Sequence, residues 1–305
     1  MNTKAAQDIR FVFFGTPELA TVVLDELEAA GCTPTLVITR PDKPAGRGRA
    51  LTAPPVKKWA QKHNVDVVQP ERIDEACIED LRRRQEWDVF VVAAYGKILP
   101  TALLQIPRMG VLNVHPSLLP RLRGPSPIRS AILTEEKSIG VSIMLVDEEM
   151  DHGPVLAQKQ IALENLSESK ETDGLPYADV LEAALAREGG RLLADVLPRW
   201  IAGDIAPVPQ DESKATYCSK INKEDMYIDL RGNPYQNMLK IRAYRGAPGA
   251  YTYFERAGKK IRAIITVAHL AKDGTLAIDR IIPEGKREMP YEDFLRGGAV
   301  PAPPR

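Results

Sequence analysis

The cysteines are too few and too scattered to form a framework. Cys32, Cys77 and Cys218 lie far apart without a C-x-x-C pair, which excludes a disulfide scaffold and a cysteine zinc site. The four histidines, His63, His115, His152 and His269, show no H-E-x-x-H or comparable ligand spacing, so no metal is expected. No apolar run approaches the roughly 20 residues needed to span a bilayer. Residues 1–8 also lack the apolar core of a signal peptide, which predicts no membrane association and a cytoplasmic protein. G-x-G-x-x-G is missing after the first apolar segment, so no dinucleotide is expected. Repeats and low-complexity tracts are absent apart from a proline-rich end.

What is present fits a soluble globular chain of two domains, with 27% charged and 44% hydrophobic residues in 305. The net charge of zero conceals an asymmetry. From Lys214 onward there are 17 Lys+Arg against 10 Asp+Glu, a net of +7, which leaves −7 for residues 1–213. A basic tail on an acidic body fits either a polyanionic partner or a solvated basic surface.

Along the chain, Ile9 to Phe14 reads as a buried strand, and Thr16 is expected to cap a helix that starts at Pro17 and ends near Gly31. Strands follow at residues 35–39, 65–68 and 88–96, with helices at 55–63 and 74–85. Residues 140–146 and 155–161 are further strands, and 126–133 is a helix. A long amphipathic helix from Tyr177 to Ile201 is expected to break at Gly189-Gly190. After it, residues 203–213 read as a linker, and closely spaced strand candidates from Tyr251 to Ile282 suit a small antiparallel barrel.

The most informative stretch is Asn113-Val114-His115-Pro116-Ser117-Leu118-Leu119-Pro120, continued by Arg121-Leu122-Arg123-Gly124-Pro125. It follows the apolar run Gly110-Val111-Leu112, and the strand is expected to give way to a loop where the polar residues begin. Two residues apart on an extended segment, Asn113 and His115 leave from one face, so an amide donor stands beside an imidazole. Taken alone, this is either a reaction centre or a proline-rich turn whose histidine satisfies its own hydrogen bonds.

The whole run resembles the signature N-x-H-x-S-L-L-P, followed by an R-G pair, of the formyltransferases that use 10-formyltetrahydrofolate. Met150-Asp151-His152-Gly153 is similar to that family's D-x-G, whose carboxylate sits beside the catalytic histidine. The resemblance thus implies Asn113, His115 and Asp151 as catalytic residues. It implies 10-formyltetrahydrofolate as cosubstrate, held by the turn Ser117, Leu118, Leu119 and Pro120. Ala94 to Pro100 resembles the family's A-Y-G-x-I-L-P segment, which adds Tyr95 to the expected folate pocket.

A second resemblance narrows the substrate. Arg40-Pro41-Asp42-Lys43-Pro44-Ala45-Gly46-Arg47-Gly48-Arg49 looks like the inserted loop of methionyl-tRNA formyltransferases. In that group the loop wedges into the acceptor stem of initiator tRNA, and Arg47 matches the arginine it relies on. Arg40, Lys43, Arg47 and Arg49 are accordingly the expected tRNA contacts.

Together the resemblances imply an α/β fold, with a Rossmann-like formyltransferase domain of mostly parallel sheet at residues 1–202. A linker at 203–213 and a small OB-like β-barrel domain at 214–305 that holds tRNA would follow. The implied reaction is direct attack of the amine of initiator methionyl-tRNA on the formyl carbon, through a tetrahedral intermediate, in a monomer. A formyltransferase for an amino sugar nucleotide, and a silent RNA- or folate-binding module, are the competing readings.

Overall fold

Phe11–Gly15 forms the first strand, β1, and every one of its five residues is buried, which requires cover on both faces of its sheet. In this computed structural model residues 6–45, 50–163, 166, 176–246 and 248–302 are described. The chain divides into two units, one of Met1–Pro125, Ser138–Ile161 and Glu182–Cys218, the other of Ser126–Lys137, Ala162–Leu181 and Ser219–Arg305.

The first unit is built on β1, β2 (Leu36–Ile38), a hairpin of β3 (Lys43–Ala45) and β4 (Ala50–Thr52), β5 (Asp66–Val68), β6 (Val89–Ala93), β7 (Val111–His115), β8 (Gly140–Leu145) and β9 (Val155–Gln160). Leaving the hairpin aside, they make one sheet in the order β5-β2-β1-β6-β7-β8-β9. The pairings from β5 to β7 are parallel, and β8 and β9 add antiparallel to the edge. Helices α1 (Glu18–Ala29), α2 (Pro55–Lys62), α3 (Glu75–Arg84) and α4 (Thr101–Leu104) connect the parallel strands. The chain leaves β1 for β2 and β5 on one side and returns to β6 on the other. That reversal falls at the carboxyl ends of β1 and β6, the position where doubly wound sheets as a class take their ligands.

On one face, Val12 and Phe14 of β1 pack with Leu36, Ile38, Phe90, Trp87 and Tyr95. The expected cap at Thr16 is not made. Pro17 takes the N-cap position with extended backbone, so Thr16 stands one residue outside and its hydroxyl is buried without a partner.

Helix α5 (Pro127–Leu133) precedes the long helix α6 (Ala178–Ala202), which runs unbroken through Gly189-Gly190, contrary to expectation. The glycines are there for close approach. A Cβ at Gly190 would stand 2.7 Å from Glu26 Cβ and 3.1 Å from Val23 Cα of α1, and one at Gly189 would stand 2.7 Å from Val114 Cγ1. Alanine is the better helix former by about 1 kcal/mol, but overpacking costs about 1–3 kcal/mol where the neighbour is backbone. Gly190→Ala is therefore expected to lower the urea midpoint. An equal or higher midpoint would show that α6 can move off α1 freely.

The second unit has α7 (Pro234–Tyr244) and a five-stranded antiparallel sheet of β10 (Tyr251–Arg256), β11 (Lys259–Leu270), β12 (Leu276–Pro283), β13 (Met289–Pro290) and β14 (Val300–Pro301). Its order is β13-β12-β11-β10-β14, the small β unit expected at the end of the chain, and α8 (Tyr291–Arg296) lies between the last two strands in sequence. Phe254 and Phe294 meet edge to face at 5.0 Å in its core, with Ala263, Ile281 and Ala299. Among the described residues no helix is long and apolar enough to cross a membrane.

Candidate active site

Strand β7 carries the first two residues of the site. It does not stop where the polar residues begin, because β8 pairs along it through Asn113↔Met144 and His115↔Ser142 and keeps it extended. Asn113 and His115 consequently share a face, and His115 is only 4% exposed.

Asp151 arrives from the turn between β8 and β9, with a left-handed backbone at φ 50°. One carboxylate oxygen, Oδ1, accepts from Asn113 Nδ2 at 3.4 Å. The other, Oδ2, accepts from the Gly124 N–H at 2.8 Å and lies 3.7 Å from His115 Nδ1. Gly124 has to be glycine. Its φ of 119° disfavours any side chain, and a Cβ would run into the carbonyl oxygen of Cys218. The amide, imidazole and carboxylate expected to work together are thus brought together.

His115 Nε2 lies 3.1 Å from the Leu122 carbonyl oxygen, which can only accept, so the ring's proton sits on Nε2 in the neutral form. Burial pushes the His115 pKa below its ordinary value, more strongly than the Asp151 charge and the Leu122 carbonyl raise it. The imidazole is therefore neutral near pH 7, with the unprotonated Nδ1 turned to Asp151.

The turn from Ser117 to Pro120 is clamped to the neighbouring strands. Ser142 Oγ donates to the Ser117 carbonyl at 2.6 Å and accepts from the Leu119 N–H at 3.1 Å. Gln158 Nε2 donates to the Leu119 carbonyl at 2.8 Å, and Ser117 Oγ donates to the Arg121 carbonyl at 2.6 Å. Ser117 and Leu119 are buried, while Leu118 and Pro120 are half-buried. The Tyr95 ring packs edge-on to Phe14 at 5.6 Å and is 1% exposed. Its phenol oxygen is buried without a partner, and burial pushes its pKa up to about 12. Tyr95 thus meets the adjoining loop through its backbone, since its carbonyl accepts from Arg40 Nε at 3.1 Å.

Of the expected RNA contacts, Arg40 also donates to the Gly96 carbonyl, so its guanidinium straps down the exit of β6. Lys43 is exposed on β3. Arg47 and Arg49 lie outside the described residues. The root of the hairpin is anchored by Asp42, whose carboxylate accepts from Gln69 Nε2 at 2.7 Å and Lys57 Nζ at 2.9 Å. Those two contacts hold the Asp42 carboxyl below its ordinary pKa.

Several contacts around the site carry no signal in the sequence. Ser142 and Gln158 belong to strands that read as plain core and edge, and only the pairing of β7, β8 and β9 puts them beneath the turn. Arg123 is 1% exposed and reaches Gln210, Glu212 and Tyr217, all from the segment after α6. No local pattern announces such contacts, since a proline-flanked polar stretch reads as linker.

Residues 9–178 match the family described as Formyl transferase. The chain is 44% identical over 267 residues to the methionyl-tRNA formyltransferase of Chloroflexus aurantiacus, covering 88% of this chain and 82% of that one. It is 38% identical over 307 residues to the methionyl-tRNA formyltransferase of Halorhodospira halophila, covering 94% and 96%. Among solved structures, the methionyl-tRNA formyltransferase of Clostridium thermocellum is similar in fold, with a TM-score of 0.56 at 16% identity over 90% of this chain and 98% of that one.

Proposed function

This chain belongs to the formyl transferase family, and from that membership we propose that it transfers the formyl group of 10-formyltetrahydrofolate to the free α-amino group of methionyl initiator tRNA. The observation that carries the reading is the convergence of Asn113, His115 and Asp151 at the carboxyl end of β7. The relatives named for methionyl-tRNA, similar over most of both chains, support the acceptor.

The residues present fit a formyl donor. The folate supplies an activated one-carbon group, and the protein supplies donors and a proton carrier. As an amine adds to a formyl carbon, the formyl oxygen becomes anionic and needs a donor already held in place. The Asn113 amide has two N–H bonds, and Asp151 takes one of them through a long contact. The attacking nitrogen must lose a proton, and neutral His115 accepts it at Nδ1, where the Asp151 carboxylate stabilises the resulting imidazolium. The same proton is then available to the departing folate nitrogen, directly or through water. No Ser or Cys nucleophile is required.

We assign catalysis to residues 1–202 and RNA holding to residues 214–305, with 203–213 connecting them, in a cytoplasmic monomer. The second unit supports its share. Lys260 Nζ stands 4.6 Å over the Tyr253 ring, and the Arg262 guanidinium 4.1 Å over Tyr251. Cations layered on aromatic faces suit phosphate and base contacts. Arg47 and Arg49, by the resemblance of their segment to the tRNA-reading loop, are assigned to the acceptor stem.

The test is formylation of charged tRNA. Initiator methionyl-tRNA should be formylated and an elongator refused, and formylation of an amino sugar nucleotide instead would overturn the assignment. Replacing Arg47 and Arg49 with alanine should raise KM for tRNA while KM for the folate stays put. The salt slope of RNA binding should flatten by about 1 for each phosphate that the variant no longer neutralises. Unaltered tRNA kinetics in the double variant would remove the loop from the recognition scheme.

A further inference from the structure

We propose that Gln210 is a positioning residue, which holds the Asp151 turn in register with Asn113 and His115 by bridging it to the buried Arg123 guanidinium. The inference rests on the assignment of Asp151 to the reaction centre.

The two ends of the Gln210 amide do opposite jobs. Its Nε2 donates to the carbonyl oxygens of Asp151 at 2.9 Å and Gly153 at 2.8 Å. Its Oε1 accepts from Arg123 Nε at 3.0 Å and Nη2 at 2.9 Å. A side chain that offers both an acceptor and two N–H bonds is needed there, and a carboxylate or an ammonium offers only one of these.

Arg123 is a fixed anchor for that bridge. Its guanidinium makes a two-pronged pair with Glu212, Nη1 to Oε2 at 2.9 Å and Nη2 to Oε1 at 2.6 Å, and donates to Tyr217 OH at 3.1 Å. Its backbone N–H donates to the Thr216 carbonyl at 2.9 Å, and its carbonyl accepts from Cys218 N–H at 2.8 Å. The segment carrying Gln210 is itself tied to β9, through Val155 and Val208, whose N–H groups donate to one another's carbonyls at 2.8 and 2.9 Å.

The turn needs such support. Asp151 has a left-handed backbone that L-residues seldom adopt, and its carboxylate must meet Asn113, Gly124 and His115 at once. Gln210 holds the carbonyl side of this turn while Gly124 holds the carboxylate side. A displacement of about 1 Å at a reacting constellation can cost on the order of 100-fold in rate.

The experiment measures kcat and KM for Gln210→Met, Gln210→Glu, Asp151→Asn and the Gln210→Met/Asp151→Asn double variant, with formyl-folate and initiator methionyl-tRNA as substrates. Gln210→Met should lower kcat by about 10- to 100-fold with both KM values within about twofold. Gln210→Glu keeps the acceptor for Arg123 but turns an oxygen on the two carbonyls, so it should lose kcat at least as severely as Gln210→Met, assayed at a temperature where circular dichroism shows both variants folded. In the double variant Gln210→Met should add little to the loss already caused by Asp151→Asn. Undiminished kcat in the glutamate variant, or independent, multiplying losses in the double variant, would overturn the inference while a slow Asp151→Asn leaves the catalytic assignment standing. If Asp151→Asn alone kept full turnover, the catalytic assignment itself would fall.

Discussion

Replacing His115 with alanine is expected to lower kcat by about 10²- to 10⁴-fold, the usual worth of a positioned proton carrier. Burial sets the state of this ring, since at 4% exposure it has little water to stabilise a charge, and its pKa falls below the ordinary 6.5. Two groups face its nitrogens, the Asp151 carboxylate at 3.7 Å and the Leu122 carbonyl at 3.1 Å, and both favour the charged form without offsetting burial. The working form is the neutral ring, which persists to lower pH than in an exposed histidine. The ionisation that His115 contributes to the acid limb of kcat should therefore lie lower than that of an exposed histidine. Asp151→Asn should move that limb lower still, because it removes the charge that stabilises the imidazolium. An acid limb of kcat unmoved by Asp151→Asn would contradict the role given to the pair.

Asn113→Ala is expected to cost about 10²- to 10³-fold in kcat, as the loss of one preorganised donor to an oxyanion does, with KM for either substrate little changed. The split matters because the formyl oxygen acquires its charge only as the amine adds. A donor aimed at that charge acts on the transition state far more than on the bound substrate. The variant should fold, since Asn113 is a half-buried position on a strand whose ladder to β6 and β8 is made by backbone groups. Asn113→Asp is the sharper version, because a carboxylate there would repel both the developing oxyanion and Asp151. A KM rise with unaltered kcat in Asn113→Ala would instead make this amide a ground-state contact.

Much of the fold and site was legible in the sequence where near neighbours decide the outcome. The unbroken apolar run Phe11-Val12-Phe13-Phe14 marks a strand buried on both faces, and the two-residue spacing of Asn113 and His115 puts both on one side of β7. Local reading failed where a distant partner outweighs an intrinsic preference. Gly189-Gly190 reads as a helix break, but α1 and the sheet press so close that only a helix without side chains there fits. Strand β7 reads as ending at Leu112, but the antiparallel partner β8 extends it to His115. Arg40 reads as a loop cation, yet two carbonyls at the exit of β6 take its guanidinium.

By itself the sequence determined the classes of element, the faces of the strands and the pairing of an amide with an imidazole two residues apart. These depend on backbone geometry and on residues within a turn or two. Resemblance pointed to Asp151, but only the tertiary structure decided how its two oxygens divide between Asn113, 38 residues earlier, and Gly124, and that Gln210, 87 residues beyond Arg123, joins the same network. Such meetings depend on strand register and on hydrogen bonds between loops. Neither leaves a trace in the spacing of the residues that make them.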